Sequence, residues 1–369
     1  MPPLFCCNCM VYLFKWVDKV TYEVYDTKHR RTNICPCMKN ILEGFIMERM
    51  KQAAQFLASH TAGFVIMAAI IAFFMPQLFG WVKGTNQIII LFIIMFSMGL
   101  TLTLKDFKVL AARPLDIFIG AAAQYLIMPF SAYFLSKGLG LSDEIAVGLI
   151  LVGCCPGGIS SNIMSFLCRG DVPFSVGMTT ASTLLAPLMT PAMVLLLAGE
   201  RIEVPAAGMF VTILESVIAP VLLGFFLNYR YGATKAMEDV RQVMPSVAVI
   251  GLALIVGGVI SLQGSNFFTA GVVIFLAVLA HNALGYFLGY TVGRMTGMNT
   301  AKRRTLSIEV GMQNAGLATG LAVAHFAAYP HAALACAVSC AWHSISGTLL
   351  AGWFVRRDEK EESAAVSLG

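Results

Sequence analysis

Ser307-Ile308-Glu309-Val310-Gly311-Met312-Gln313-Asn314-Ala315-Gly316 places a carboxylate, two side-chain amides and two glycines inside an apolar run that otherwise reads as a membrane span. A charged side chain at the bilayer centre costs about 2.5–3.5 kcal/mol on insertion scales, so such residues face a polar cavity or a partner and mark a binding site or pathway. Glu309 is therefore the first candidate functional residue, and the reading it favours is a membrane carrier.

The rest of the chain agrees. Of 369 residues, 58% are hydrophobic and only 12% charged, with a mean hydropathy of +0.77. A water-soluble core of this length needs more polar surface. Stretches near the ~20 residues that span hydrocarbon recur along the sequence. They fall at about 56–76, 86–104, 114–136, 144–168, 172–198, 204–228, 245–262, 267–293, 304–326 and 331–354, which predicts ten spans. With the N-terminus inside, only Lys83, Lys137 and Arg201 fall on the outer side, while the other loop Lys and Arg, from Arg49 to Lys360, fall on the inner side. One missed span would invert every later loop, so this bias supports the count and predicts a multi-pass inner-membrane protein with both termini cytoplasmic. The net charge of +5 is then a topology signal, and nucleic acid is not an expected partner.

Residues 1–49 read as an N-terminal extension, either disordered or produced by translation from too far upstream, with Met47 and Met50 as alternative starts. Its cysteines, Cys6-Cys7-Asn8-Cys9 and Cys35-Pro36-Cys37, match no four-ligand zinc spacing. The cysteines within the spans, Cys154, Cys155, Cys168, Cys336 and Cys340, read as packing residues.

A second interruption, Gly153-Cys154-Cys155-Pro156-Gly157-Gly158-Ile159-Ser160-Ser161-Asn162, falls in the middle of span four. Pro156 lacks an N–H and crowds the preceding turn, and Gly157 and Gly158 withdraw the side chains that hold helical geometry, so the helix breaks there. Broken backbone at membrane depth survives only when buried in protein or lining a wet cavity. Gly311 and its amide neighbours interrupt span nine in the same way. Spans four and nine are equivalent if the chain is two repeats of five, 50–199 and 200–355, with 356–369 a cytoplasmic tail. Five is odd, so the repeats are inverted, and paired interruptions of this kind point to a midplane site in a secondary transporter. Gln124 in span three has a loose counterpart in His281-Asn282 of span eight.

Polar groups in the spans are mostly neutral oxygen donors: Ser160, Ser161, Asn162, Ser175, Thr179, Ser182, Thr183, Gln124, Gln313 and Asn314. Ser175 and Thr179, four apart, share one helix face. Hydroxyl and amide oxygens with a single carboxylate suit a hard monovalent cation, whereas zinc prefers His and Cys and calcium wants more carboxylates. Sodium is the expected ion. Glu215, a second acid within a span, reads as a polar contact between helices.

Spans one to ten, about 50–355, resemble the bile acid:sodium symporter family in its compact prokaryotic form. The likeness is carried by Cys155-Pro156-Gly157-Gly158, Ser161-Asn162, Ser175 to Thr179, Glu309 to Gly316, and Trp342-His343 leading to Ile345-Ser346-Gly347. It implies an all-α membrane fold of ten helices in a core and a panel domain, with broken helices four and nine crossing in the core. It also implies two sodium ions: one at Ser161, Asn162, Ser175, Thr179 and Glu309, the other at Gln124, Glu309, Gln313 and the main-chain oxygens of Val310 and Met312. An organic anion is expected near the crossing, by Ile159, Ser160, Asn314 and Ser344, with Pro156, Gly157, Gly158 and Gly311 forming the breaks.

Two sodium ions against one ionised Glu309 leave a charge that favours a monoanion, and pantoate or a related hydroxy or keto acid is the expected substrate, with bile acids the family alternative. A monomer suffices for such transport. An enzyme is not expected, because adjacent His343 and Ser344 point about 100° apart on a helix and make a poor dyad. A proton-coupled carrier and a non-transporting receptor complete the alternatives.

Overall fold

The computed structural model describes residues 36–158, 160–263 and 266–367. Ile159 and the cysteines Cys6, Cys7, Cys9 and Cys35 lie outside the described residues. Secondary structure among the described residues is helical, with a single isolated antiparallel bridge. The helices run α1 Pro36–Ser59, α2 Thr61–Phe74, α3 Thr85–Thr101, α4 Leu104–Ala112, α5 Pro114–Gly138, α6 Asp143–Cys154, α7 Ser160–Leu167 and α8 Val172–Ala198. They continue as α9 Ala206–Tyr231, which contains a π turn over Leu214–Ile218, then α10 Lys235–Gln263, α11 Asn266–Met295, α12 Thr300–Gly311, α13 Ala315–His325 and α14 Pro330–Ser367.

Six of these helices are long and apolar enough to cross a membrane, or eight if each of two bent pairs counts as one span. The predicted span at 86–104 is α3, which ends at Leu102 in extended backbone; beyond it α4 turns away by 76°, and the two form one such pair. The turn is written in Thr103 and Asp106, a capping box in which the Asp106 carboxylate accepts from the Thr103 N–H at 2.7 Å.

Large apolar side chains face outward as well as inward. Phe74, Phe118, Phe134, Leu188, Phe226 and Phe287 are exposed, while Gln124, Ser161, Ser175, Thr179, Glu309 and Gln313 are buried. Apolar residues facing outward, with the polar groups gathered inside, are what lipid as solvent requires. Helices close up through small residues: a Cβ on Gly99 would overlap the Val221 backbone, and one on Gly224 would sit 2.5 Å from the Phe96 carbonyl oxygen. Contact of α3 with α9 is thus backbone on backbone.

Glu215 corrects its expectation. Its side chain is exposed, and it makes no hydrogen bond or ion pair with the described residues, so it is not an inter-helix contact. The wider turn that carries it precedes Pro220, which has no N–H to offer the Ser216 carbonyl. Cys154, Cys155, Cys168, Cys336 and Cys340 are buried free thiols.

Candidate functional site

Both interruptions are breaks, and they meet. Helix α6 stops at Cys154 and α7 starts at Ser160, while α12 stops at Gly311 and α13 starts at Ala315. The Gly158 N–H donates to the Met312 carbonyl and the Asn314 N–H to the Pro156 carbonyl, each at 2.8 Å, so Gly157 and Gln313 face each other as an antiparallel pair. Backbone groups stranded by the breaks thereby satisfy one another. The glycines are steric requirements: a Cβ on Gly157 would lie 2.9 Å from the Glu309 Oε2, and one on Gly158 would lie 2.8 Å from the Gln313 carbonyl. Gly311, expected within the break, is the last residue of α12, and a Cβ there would strike the Tyr286 ring.

Around this pair stands the oxygen cluster. Ser161, at the start of α7, donates to Glu309 Oε1 at 2.6 Å and also reaches the Gly158 carbonyl at 2.7 Å. Ser175 on α8 contacts Glu309 Oε1 and reaches Asn162 Oδ1 at 2.8 Å. One turn on, Thr179 donates to Glu309 Oε2 at 2.9 Å and lies 3.1 Å from the Ser175 carbonyl. Each hydroxyl has one proton and two acceptors, so lone pairs outnumber protons. Among the described residues no Lys, Arg or His pairs with Glu309, which is 1% exposed. A buried carboxylate surrounded by surplus lone pairs is an environment that a bare cation satisfies and a further acceptor does not.

Of the second expected set, Gln124 and Gln313 meet side chain to side chain. Gln124 on α5 donates through Nε2 to the Gln313 side-chain oxygen and, at 3.3 Å, to the Cys155 carbonyl. Both main-chain oxygens of the set already accept from the protein, Val310 from Gln313 Nε2 at 2.6 Å and Met312 from the Gly158 N–H. A carbonyl has two lone pairs, so each keeps one beyond the bond it accepts.

Of the residues expected to receive substrate, Ser160, Asn314 and Ser344 line one cavity of about 90 Å3 beside the breaks. Asn314 caps α13, its side-chain oxygen accepting from the Leu317 N–H at 3.0 Å. Three residues named in the sequence but given no place at the site act as supports. Ser182 accepts from the Gly157 N–H at 3.2 Å, Asn282 donates to the Gly311 carbonyl at 2.7 Å, and His343 lines the same cavity with its Nε2 buried and unpartnered. Asn282 carried a signal, its correspondence with Gln124: each ties a side-chain amide to a carbonyl at the lip of a break.

A profile of the Sodium Bile acid symporter family matches residues 88–270. An uncharacterized sodium-dependent transporter of Bacillus subtilis is 40% identical over 321 residues, 87% of this chain and 98% of that protein. The chain belongs to the sodium bile acid symporter family. A probable sodium/metabolite cotransporter of Arabidopsis thaliana chloroplasts is 42% identical, over 80% of this chain and 73% of its own. The human ileal sodium/bile acid cotransporter is 33% identical, over 64% of this chain and 68% of its own. As a member of this symporter family the protein is a multi-pass membrane transporter and not an enzyme. Within the symporter, Glu309, the hydroxyls of α7 and α8 and the paired breaks form one contiguous polar centre.

Proposed function

We propose that this symporter couples sodium entry to uptake of a small organic anion across the inner membrane by alternating access. The observation that carries the reading is the Glu309 carboxylate, held by Ser161, Ser175 and Thr179 in a cluster with more lone pairs than protons and, among the described residues, no basic partner. One sodium ion would sit among these groups and Asn162. A second would sit at Gln124, Gln313, Glu309 and the free lone pairs of Val310 and Met312.

Counting α6 with α7 and α12 with α13 as one broken span each raises the eight candidates to ten. Ten spans would form two inverted repeats, 50–199 and 200–355, divided into core and panel, with both termini cytoplasmic. The matched roles of Gln124 and Asn282 support this symmetry.

A pair of sodium ions against one carboxylate gives a net positive centre, which favours a monoanion at Ser160, Asn314 and Ser344. Pantoate or a related hydroxy or keto acid is nearer in size to the small cavity of about 90 Å3 than a sterol acid is. Each tenfold sodium gradient supplies about 1.4 kcal/mol per ion, and a net charge of one adds about 2.3 kcal/mol per 100 mV. That is enough for active accumulation by a monomer.

The test is uptake of labelled pantoate into proteoliposomes under an inward sodium gradient, with potassium as control and Glu309→Ala beside it. Sodium-driven accumulation that the substitution abolishes is expected. Equal uptake in both salts would overturn sodium coupling, and sodium-driven uptake of bile acid with none of pantoate would replace the substrate class.

A further inference from the structure

A second cavity, of about 280 Å3, lies on the side of the bundle that carries Lys105, Lys108 and Arg113. It abuts the smaller cavity, because Ile163, Pro245 and Ala248 line both. Their chemistry differs. The smaller cavity has no carboxylate, whereas the larger is lined by Asp106, Ser97, Thr101, Asn162, Thr179 and Thr180.

Three of its hydroxyls have already spent their protons. Ser97 donates to the Ile94 carbonyl, Thr101 to Met98 and Thr180 to Val176, each at 2.7 Å. What these groups turn to a ligand is therefore oxygen lone pairs. Asp106 adds the one formal charge of the lining, which contains no Lys or Arg. The N–H and hydroxyl of Thr103 both donate to Asp106 Oδ2, at 2.7 and 2.8 Å, and Oδ1 takes part in neither bond. Lys105 and Lys108 flank it in sequence but sit about 100° and 200° round the α4 axis and are exposed. At the deep end, Thr179 joins the lining directly to Glu309.

We propose that this cavity is a further, weaker cation site, a vestibule that receives sodium leaving the Glu309 cluster, with Asp106 as its charged ligand. The inference rests on the sodium reading of Glu309. Cation and anion then part on opposite sides of the Ile163, Pro245 and Ala248 wall, since Asp106 attracts the one and repels the other.

Sodium relaxation NMR on the purified, solubilised full chain tests this without knowledge of the anion. Two saturable components are expected, a tighter one for the two ions that share Glu309 and a looser one for the vestibule. Asp106→Asn keeps an acceptor for the Thr103 N–H and so keeps the cap, yet weakens the looser component about fivefold, the factor one unit charge at contact is worth in water. Asp106→Glu restores it. A looser component that is missing from the natural protein, or unchanged in Asp106→Asn, overturns the proposal. Glu309→Gln is expected to remove the tighter component, and its persistence there would overturn the sodium reading itself, a failure read from a different variant.

Discussion

Gln124 and Gln313, 189 residues apart, are joined side chain to side chain, and the Gln124 amide also reaches the Cys155 carbonyl. One side chain on an unbroken helix thus touches both broken segments at the point where they pair. Gln124→Ala leaves the Gln313 oxygen and the Cys155 carbonyl short of a donor in a buried setting, a loss of roughly 1–3 kcal/mol. The half-saturating sodium concentration for uptake should rise on the order of tenfold, and an unchanged sodium titration would remove Gln124 from the ion machinery.

Glu309→Gln preserves the volume and one acceptor oxygen but deletes the charge. Sodium-stimulated uptake should fall by on the order of a hundredfold or more, since a buried cation without its counter-charge is costly. Monodispersity in detergent should persist, because the hydroxyls of Ser161, Ser175 and Thr179 still find an acceptor. Retained sodium stimulation in this variant would displace Glu309 from the centre of the mechanism.

Gly157→Ala and Gly158→Ala probe the pairing of the breaks. Each added methyl group meets an oxygen inside contact distance, and overpacking of this kind costs about 1–3 kcal/mol. Both variants should lose uptake and melt earlier. Gly63→Ala in α2, whose Cβ would meet nothing within 4 Å, should instead melt at the same temperature or slightly higher, since alanine is favoured over glycine in a helix by roughly 0.5–1 kcal/mol. A thermal shift assay across the three decides whether close approach or mere glycine content matters.

Arg304, at the basic end of α12, grips Asp358 of α14 with both guanidinium nitrogens, donates to the Cys168 carbonyl at 3.1 Å and stacks over Phe354 at 5.1 Å. Lysine cannot reproduce a two-pronged contact with a ring face beneath it. Arg304→Lys should cost roughly 1–2 kcal/mol after allowance for the partial exposure of Asp358, read as a fall of a few degrees in melting temperature in detergent. No fall would make the pair ornamental.

The breaks were legible because Pro156, Gly157, Gly158 and Gly311 act through local backbone sterics, which sequence states directly. The oxygen inventory was legible too, but not its arrangement, because Ser161, Ser175 and Glu309 come together only through the packing of α7, α8 and α12. Glu215 was misjudged since hydropathy does not say which way a helix face turns, and the wide turn before Pro220 resets the register. The bend between α3 and α4 falls where the apolar run ends, and Thr103 and Asp106 held its cap in plain view.

The pairing of Gly157 with Gln313 is made by main chain alone, apart from the room that two glycines leave. Its two backbone bonds use no side chain of the cavity wall. The wall of the neighbouring cavity can therefore be rewritten at Ser160 or Ser344 without loosening the joint, so cargo can drift between descendants of one scaffold while the ion seat beneath it stays fixed.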